Sequence, residues 1–213
     1  MSQHDVVLKS ILDLAMDYRT KLEGKINDRK KEMEEDDLSH HDLYSVLGVT
    51  SEKGHQIDIY QNIGRFLYKY AGSFLEEAAV ICFKSKYPDA DKVKIPNTIG
   101  QKPKTFEIDC LVGKRAYEIK WRDATTDGDH ITKEHTRVQN IKNAGYTPVR
   151  IMFYEPNRSQ AQRIQVRLKN IYEEVNGEYY SGDTAWKYIL EKTNVDLKAI
   201  LNEVATKVSF MEI

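Results

Sequence analysis

Residues 105–122, Thr-Phe-Glu-Ile-Asp-Cys-Leu-Val-Gly-Lys-Arg-Ala-Tyr-Glu-Ile-Lys-Trp-Arg, constrain the fold more tightly than any other part of the chain. Apolar and polar side chains alternate through two runs separated by Gly113-Lys114, the pattern of a β-hairpin with one buried face. A two-residue type II′ loop takes Gly at its first central position. That loop sets Val112 against Arg115 and, two steps further out on the same face, pairs Cys110 with Tyr117. Asp109 then falls opposite Glu118, with Cβ atoms ~4.5–5.5 Å apart. Lys120 follows two residues after Glu118 and projects from the same face. The reverse face is expected to pair Ile108 with Ile119 and Phe106 with Trp121, continuing the apolar lining begun by Cys110 and Tyr117. A slip of one residue would bury the charges, so the pattern fixes the register. Two opposed carboxylates repel unless something neutralises them. A divalent cation with an attacking water would do so; the plainer reading is a solvated face in which Lys120 answers Glu107 across the strands.

The rest of the 213 residues bound the class of protein. Hydrophobic residues make up 40% and charged residues 31%, as in a globular domain, and no apolar run reaches the length of a membrane span. The opening Met-Ser-Gln-His-Asp lacks a basic region followed by an apolar stretch, so a cytoplasmic location is expected. Cys82 and Cys110 suit small buried hydrophobes and show neither disulfide nor zinc spacing. A net charge of −1 leaves the partner open, because distribution outweighs the total.

Helical patterns occupy 4–36, 41–47 and 57–86, with a polar connection over 49–56 and a bend expected near Gly64 or Gly72. Ile11, Ala15, Tyr18 and Leu22 keep heptad spacing for only two repeats, so packing within the domain is expected over a coiled coil. A short strand over 93–96 precedes the hairpin. A polar loop over 122–130, a helix over 131–144 and a strand over 147–154 follow it. Helices over 157–175, 184–192 and 196–208 close the chain. The result is an α/β fold, a small mixed sheet flanked by helices.

Asp109, eight residues, then Glu118-x-Lys120, on a hairpin within an α-β-β-β-α-β order, resembles the PD-(D/E)xK nuclease superfamily. The usual Pro-Asp is Ile108-Asp109 here, which keeps the carboxylate. Gly72-Ser-Phe-Leu-Glu76 resembles the first core helix of that superfamily, with Glu76 rather than Glu77 as the accessory acid. More narrowly, residues 119–137 and Gly182-Asp-Thr-Ala-Trp186 resemble the ApaLI-like type II restriction endonucleases. The resemblance implies a single endonuclease domain with a restriction-endonuclease-like core over 63–156, a helical N-terminal extension over 1–62 and a helical C-terminal part over 157–213. It implies Mg²⁺ held by Asp109, Glu118 and the Ile119 carbonyl, and catalysis by Asp109, Glu118, Lys120 and Glu76. It also implies a homodimer that cuts double-stranded DNA at a short palindromic site and leaves 5′-phosphates.

Target reading is expected from the segment after the hairpin: Arg122, Asp123, Thr125, Thr126, Asp127, Asp129, His130, Lys133 and Arg137. Asn157 and Arg158 offer a second recognition segment, since Arg and Asn make bidentate bonds to base edges. For any single one of these side chains, an ordinary polar surface role competes. His130 with Glu134-His135 resembles the inverzincin motif but carries one extra residue, and on a helix the two imidazoles would diverge by ~140°. His40-His41 has no partner at metal-ligand spacing and is expected to be solvated. Rival functions are a repair or recombination nuclease on the same core, and a non-catalytic DNA-binding protein; intact Asp109, Glu118 and Lys120 argue against the latter.

Overall fold

The computed structural model describes residues 2–100, 102–122 and 128–209, with backbone alone at 128 and 129. Its first part is a pair of long helices. Helix α1 (Gln3–Glu34) starts at a reciprocal cap, in which the Asp5 N–H donates to Ser2 Oγ and the Ser2 N–H donates to Asp5 Oδ2. Helix α2 (His41–Val46) is a turn and a half, and α3 (Ser51–Lys86) runs back along α1. Leu22 and Ile26 of α1 pack on Ile63 of α3, and Val7 and Ile11 join the main core near Leu75 and Ala79.

Five strands form one sheet in the order β1-β2-β3-β4-β5: β1 (Asp91–Pro96), β2 (Thr105–Val112), β3 (Arg115–Arg122), β4 (Thr147–Tyr154) and β5 (Glu178–Ser181). The first three are antiparallel, and β4 and β5 add in parallel to β3. Helix α4 (Gly128–Asn143) links β3 to β4, and α5 (Ser159–Glu174) links β4 to β5. Helices α6 (Asp183–Thr193) and α7 (Leu197–Lys207) end the described chain. One face of the sheet, with Tyr117, Ile119, Val149 and Ile151, packs on α1, α3, α6 and α7. The other is covered by α4 and α5. Coverage on both faces explains why β4 reads as an almost unbroken apolar run. This is the mixed, helix-flanked α/β sheet expected of a restriction-endonuclease-like core, with helical N- and C-terminal parts.

Several expectations change. Residues 51–56 belong to α3, which Thr50 caps by accepting from the Lys53 N–H, and α3 continues through Gly64 and Gly72 without interruption. The boundary expected at 62/63 therefore falls inside one helix. Strand β5 lies where no strand was expected; its Tyr-Tyr pair packs between α5 and α6 rather than showing clean alternation. Gly177 admits this strand, since a Cβ there would lie 2.7 Å from the Pro148 carbonyl oxygen.

The hairpin turn forms as expected, with Gly113 at φ 56° and pairs Val112–Arg115, Leu111–Ala116 and Cys110–Tyr117. The expected pairs beyond Cys110 do not form. Between Asp91↔Leu111 and Val93↔Ile108, two steps of β1 span three steps of β2, a bulge at Asp109-Cys110. The extra residue reverses the alternation. Phe106 and Ile108 consequently face Ile141 of α4, whereas Cys110 faces Phe83 and Tyr117 on the α3 side. The single apolar face expected for the hairpin is thus two half-faces, one on each side of the sheet.

Candidate active site

The bulge determines what Asp109 can do. Where β2 and β3 part, the Ile119 N–H donates not to a backbone carbonyl but to Asp109 Oδ2, at 2.8 Å. The carboxylate thus takes over a ladder bond and is held in the strand gap with little freedom. N–H and C=O of an extended residue point the same way, so the Ile119 carbonyl faces the same gap. Asp109 and Glu118 are both buried, at 8% and 3% exposure.

Lys120 collects the acids. Its Nζ lies 2.9 Å from Glu118 Oε1, 3.2 Å from Glu76 Oε1 and 3.5 Å from Asp109 Oδ2. Glu76 reaches the cluster from α3, whereas Glu77 on the same helix turns away and accepts from the Tyr18 hydroxyl of α1 at 2.7 Å. Glu107 is no partner of Lys120; it lies 3.5 Å from Lys92 of β1. The solvated-face reading of the hairpin therefore fails.

A second layer, unread in the sequence, supports Glu118. Arg137 of α4 pairs with Glu118 and, at 3.2 Å, with Glu134. Glu134 also accepts from Arg150 of β4 at 3.0 Å and from the Tyr172 hydroxyl of α5 at 2.6 Å. Arg150 and Tyr172 are fully buried. A guanidinium within the apolar run Pro148-Val-Arg-Ile-Met-Phe153 was the available signal, since a buried cation requires a buried anion.

The electrostatics separate the two carboxylates. Burial and the neighbouring Glu118 charge push the Asp109 carboxyl up to about 7, against the pull of Lys120. Burial also acts on Glu118, but Lys120, Arg137 and Arg150 outweigh it and hold Glu118 well below the usual carboxylate range. Lys120, despite its burial, is held strongly protonated by Glu118, Asp109 and Glu76. An all-oxygen donor set with one under-compensated carboxylate suits a hard divalent cation.

The remaining expected site residues are placed as follows. Arg122 is exposed at the end of β3, Lys133 is exposed on α4, and His130 is half-buried near the start of that helix. Arg137 lies on the same helix but turns inward to Glu118. Asn157 and Arg158 are exposed ahead of α5. Asp123, Thr125, Thr126, Asp127 and the side chain of Asp129 lie outside the described residues. His135 is exposed while Glu134 is committed to Arg137 and Arg150, which removes the inverzincin arrangement. The His40-His41 pair departs from expectation in part: His40 is exposed as expected, but His41 is buried, and both rings contact Asp58.

The model of the ApaLI-like restriction endonuclease family matches residues 1–206. The chain belongs to that family. No curated protein and no solved structure matches it. The match reaches beyond the sheet to include α1, α2 and most of α7, so the helical parts around the Asp109–Glu118–Lys120 cluster are elements of an ApaLI-like enzyme. No described helix is long and apolar enough to cross a membrane.

Proposed function

We propose that this ApaLI-like restriction endonuclease is a Mg²⁺-dependent type II enzyme that hydrolyses phosphodiester bonds of double-stranded DNA at a short palindromic site. The observation that carries the reading is the convergence of Asp109, Glu118 and Glu76 on the Lys120 ammonium. The cation would be held by Asp109, Glu118 and the Ile119 carbonyl. When bound, it would supply Lewis-acid polarisation of the scissile phosphate and a lowered pKa for a coordinated water.

The chain's own groups would do the rest. Asp109 is fixed by the Ile119 N–H, so it presents its carboxylate without reorganising. Lys120, drawn off the carboxylates by a phosphate, would place its ammonium against the charge growing on the phosphorane-like transition state and orient the attacking water. Glu76 would hold Lys120 in range. Arg137 and Glu134 would keep Glu118 ionised and aimed. Cleavage would leave 5′-phosphates and 3′-hydroxyls.

Strand β3 ends two residues beyond Lys120, and α4 begins at Gly128. Arg122, His130 and Lys133, with Asn157 and Arg158, would meet DNA bound over the cluster. A palindromic target is matched by two copies related by a two-fold axis, as in an isologous homodimer. The single endonuclease domain would span all 213 residues and act in the cytoplasm. The test is digestion of plasmid DNA alongside branched and nicked substrates in Mg²⁺. Discrete fragments from the plasmid support this reading, and cutting confined to the branched or nicked substrates would replace it with a repair nuclease.

A further inference from the structure

A second cluster lies in the helical N-terminal part, far along the chain from Asp109. His40 and His41 each direct Nε2 at one oxygen, Asp58 Oδ2, from 3.1 and 3.2 Å. The three ligand atoms lie within 4.8 Å of one another, and among the described residues no other His, Cys, Asp or Glu trio gathers in this way. Tyr44 donates its hydroxyl to the other oxygen, Oδ1, at 2.9 Å, which fixes the carboxylate.

The outer bonds of the two rings determine what their inner nitrogens offer. His40 Nδ1 lies 3.1 Å from the Asp37 carbonyl oxygen, which can only accept, so Nδ1 carries the proton. Neutral His40 then points a lone pair at a carboxylate, two acceptors facing each other at hydrogen-bond distance. A second proton on His40 or a metal ion must stand between them. His41 Nδ1 contacts Ser51 Oγ at 2.8 Å, which can accept and so leave a second Nε2 lone pair directed inward. Nδ1 bonds of this kind are what orient metal-ligating histidines.

The dimensions also fit. A tetrahedral zinc with N and O bonds of about 2.0–2.2 Å separates its ligand atoms by roughly 3.3–3.5 Å, a few tenths of an ångström beyond the two Nε2–Oδ2 separations here. On the solvent side a cavity of about 230 Å³, lined among others by Asp36, His40, His55 and Asp58, leaves room for a water or a further ligand.

We propose that His40, His41 and Asp58 form a structural site for a zinc-type divalent cation, separate from the catalytic carboxylates. Its role follows from α2. That helix has six residues, too short to persist alone, and its single buried side chain is His41. Leu43, Val46 and Leu47 are exposed at 68%, 81% and 78%, so α2 has almost no apolar anchor. The cation joins the α1–α2 connection and α2 to α3 through ligands from both sides, replacing the missing core.

The experiment is zinc titration of the chelator-treated full-length chain by calorimetry, with Co²⁺ absorption as a reporter of geometry. An Asp109→Asn background silences the catalytic carboxylates. The expected result is one zinc per chain in the Asp109→Asn protein, tetrahedral-type Co²⁺ bands, and a higher melting temperature with zinc. His40→Gln should weaken zinc binding at least about tenfold and abolish the melting shift. Because His40 is on the surface, circular dichroism of this variant should match the parent; Asp58→Asn serves as the second variant. Absence of stoichiometric zinc in the Asp109→Asn protein, or undiminished binding in His40→Gln, would overturn the proposal and leave a protonated His40 as the only bridge.

Discussion

Asp109 Oδ2 accepts the Ile119 N–H at 2.8 Å, so a side chain stands where the β2–β3 ladder would otherwise have placed a main-chain carbonyl. This substitution depends on the bulge that parts the strands, and it positions one acid of the cluster through the backbone of the strand that carries the other. The site is therefore as rigid as the sheet. Replacing Asp109 by Ala should remove cleavage while leaving the hairpin turn at Gly113 intact, a result readable by amide exchange at Ala116 and Tyr117.

Under the proposed function, Lys120 is the group that would separate phosphodiester hydrolysis from ion binding. Lys120→Ala should lower the cleavage rate by about 10²–10³-fold, the effect of removing one transition-state donor. DNA binding in Ca²⁺, measured by gel shift, should change little. Loss of binding in parallel with rate would assign Lys120 to the phosphate backbone instead.

The two adjacent acids of α3 should behave differently. Glu76→Gln loosens the lysine and should cost about 10–100-fold in rate, as for other residues that orient a reacting group. Glu77→Gln should leave the rate near that of the parent and cost about 1 kcal/mol of stability through the Tyr18 hydrogen bond. Rate assays and urea melts on the two variants check both statements.

The pH dependence of the metal-free protein follows from Asp109. Its folded pKa of about 7 lies above the ordinary value of 3.8, so the native state holds an extra proton across that interval. Stability should therefore fall as pH rises from about 4 to about 7. Glu118 acts in the opposite sense but at lower pH, because its folded value is depressed; its contribution is lost as pH falls below the ordinary range. Urea midpoints measured in EDTA should show the decline above about pH 5, and Asp109→Asn should abolish it.

Arg150 and Glu134 form a buried pair in which neither charge can reach water. Arg150→Met leaves Glu134 with less compensation, and should destabilise the fold by about 3–5 kcal/mol. Chemical denaturation gives the value; a loss below about 1 kcal/mol would show that Arg137 and Tyr172 satisfy Glu134 without it.

The sequence made the turn, the three inner pairs and the gathering of Asp109, Glu118 and Lys120 legible, because local alternation and turn chemistry act over a few residues. It hid the bulge at Asp109-Cys110, since an extra residue in β2 becomes visible only against the count in β1. Strand β5 was hidden for a similar reason: Tyr179 and Tyr180 pack against helices that tertiary structure brings to them. Arg150 signalled a buried anion but not which one, and Glu134 stood out only through a zinc-motif resemblance that its spacing argues against. His40 and His41 looked solvated because Asp58 is brought to them only by the fold of α3 against α2.

Hydrolysis of double-stranded DNA at defined sites by the Asp109–Glu118–Lys120 cluster is tested by sequencing both strands at the ends left on plasmid DNA by the parent and by Lys120→Ala, each in Mg²⁺. The parent should give discrete ends with 5′-phosphates that share one short palindrome, and Lys120→Ala should give none in the same time. Random ends from the parent, or undiminished cutting by Lys120→Ala, would contradict the account.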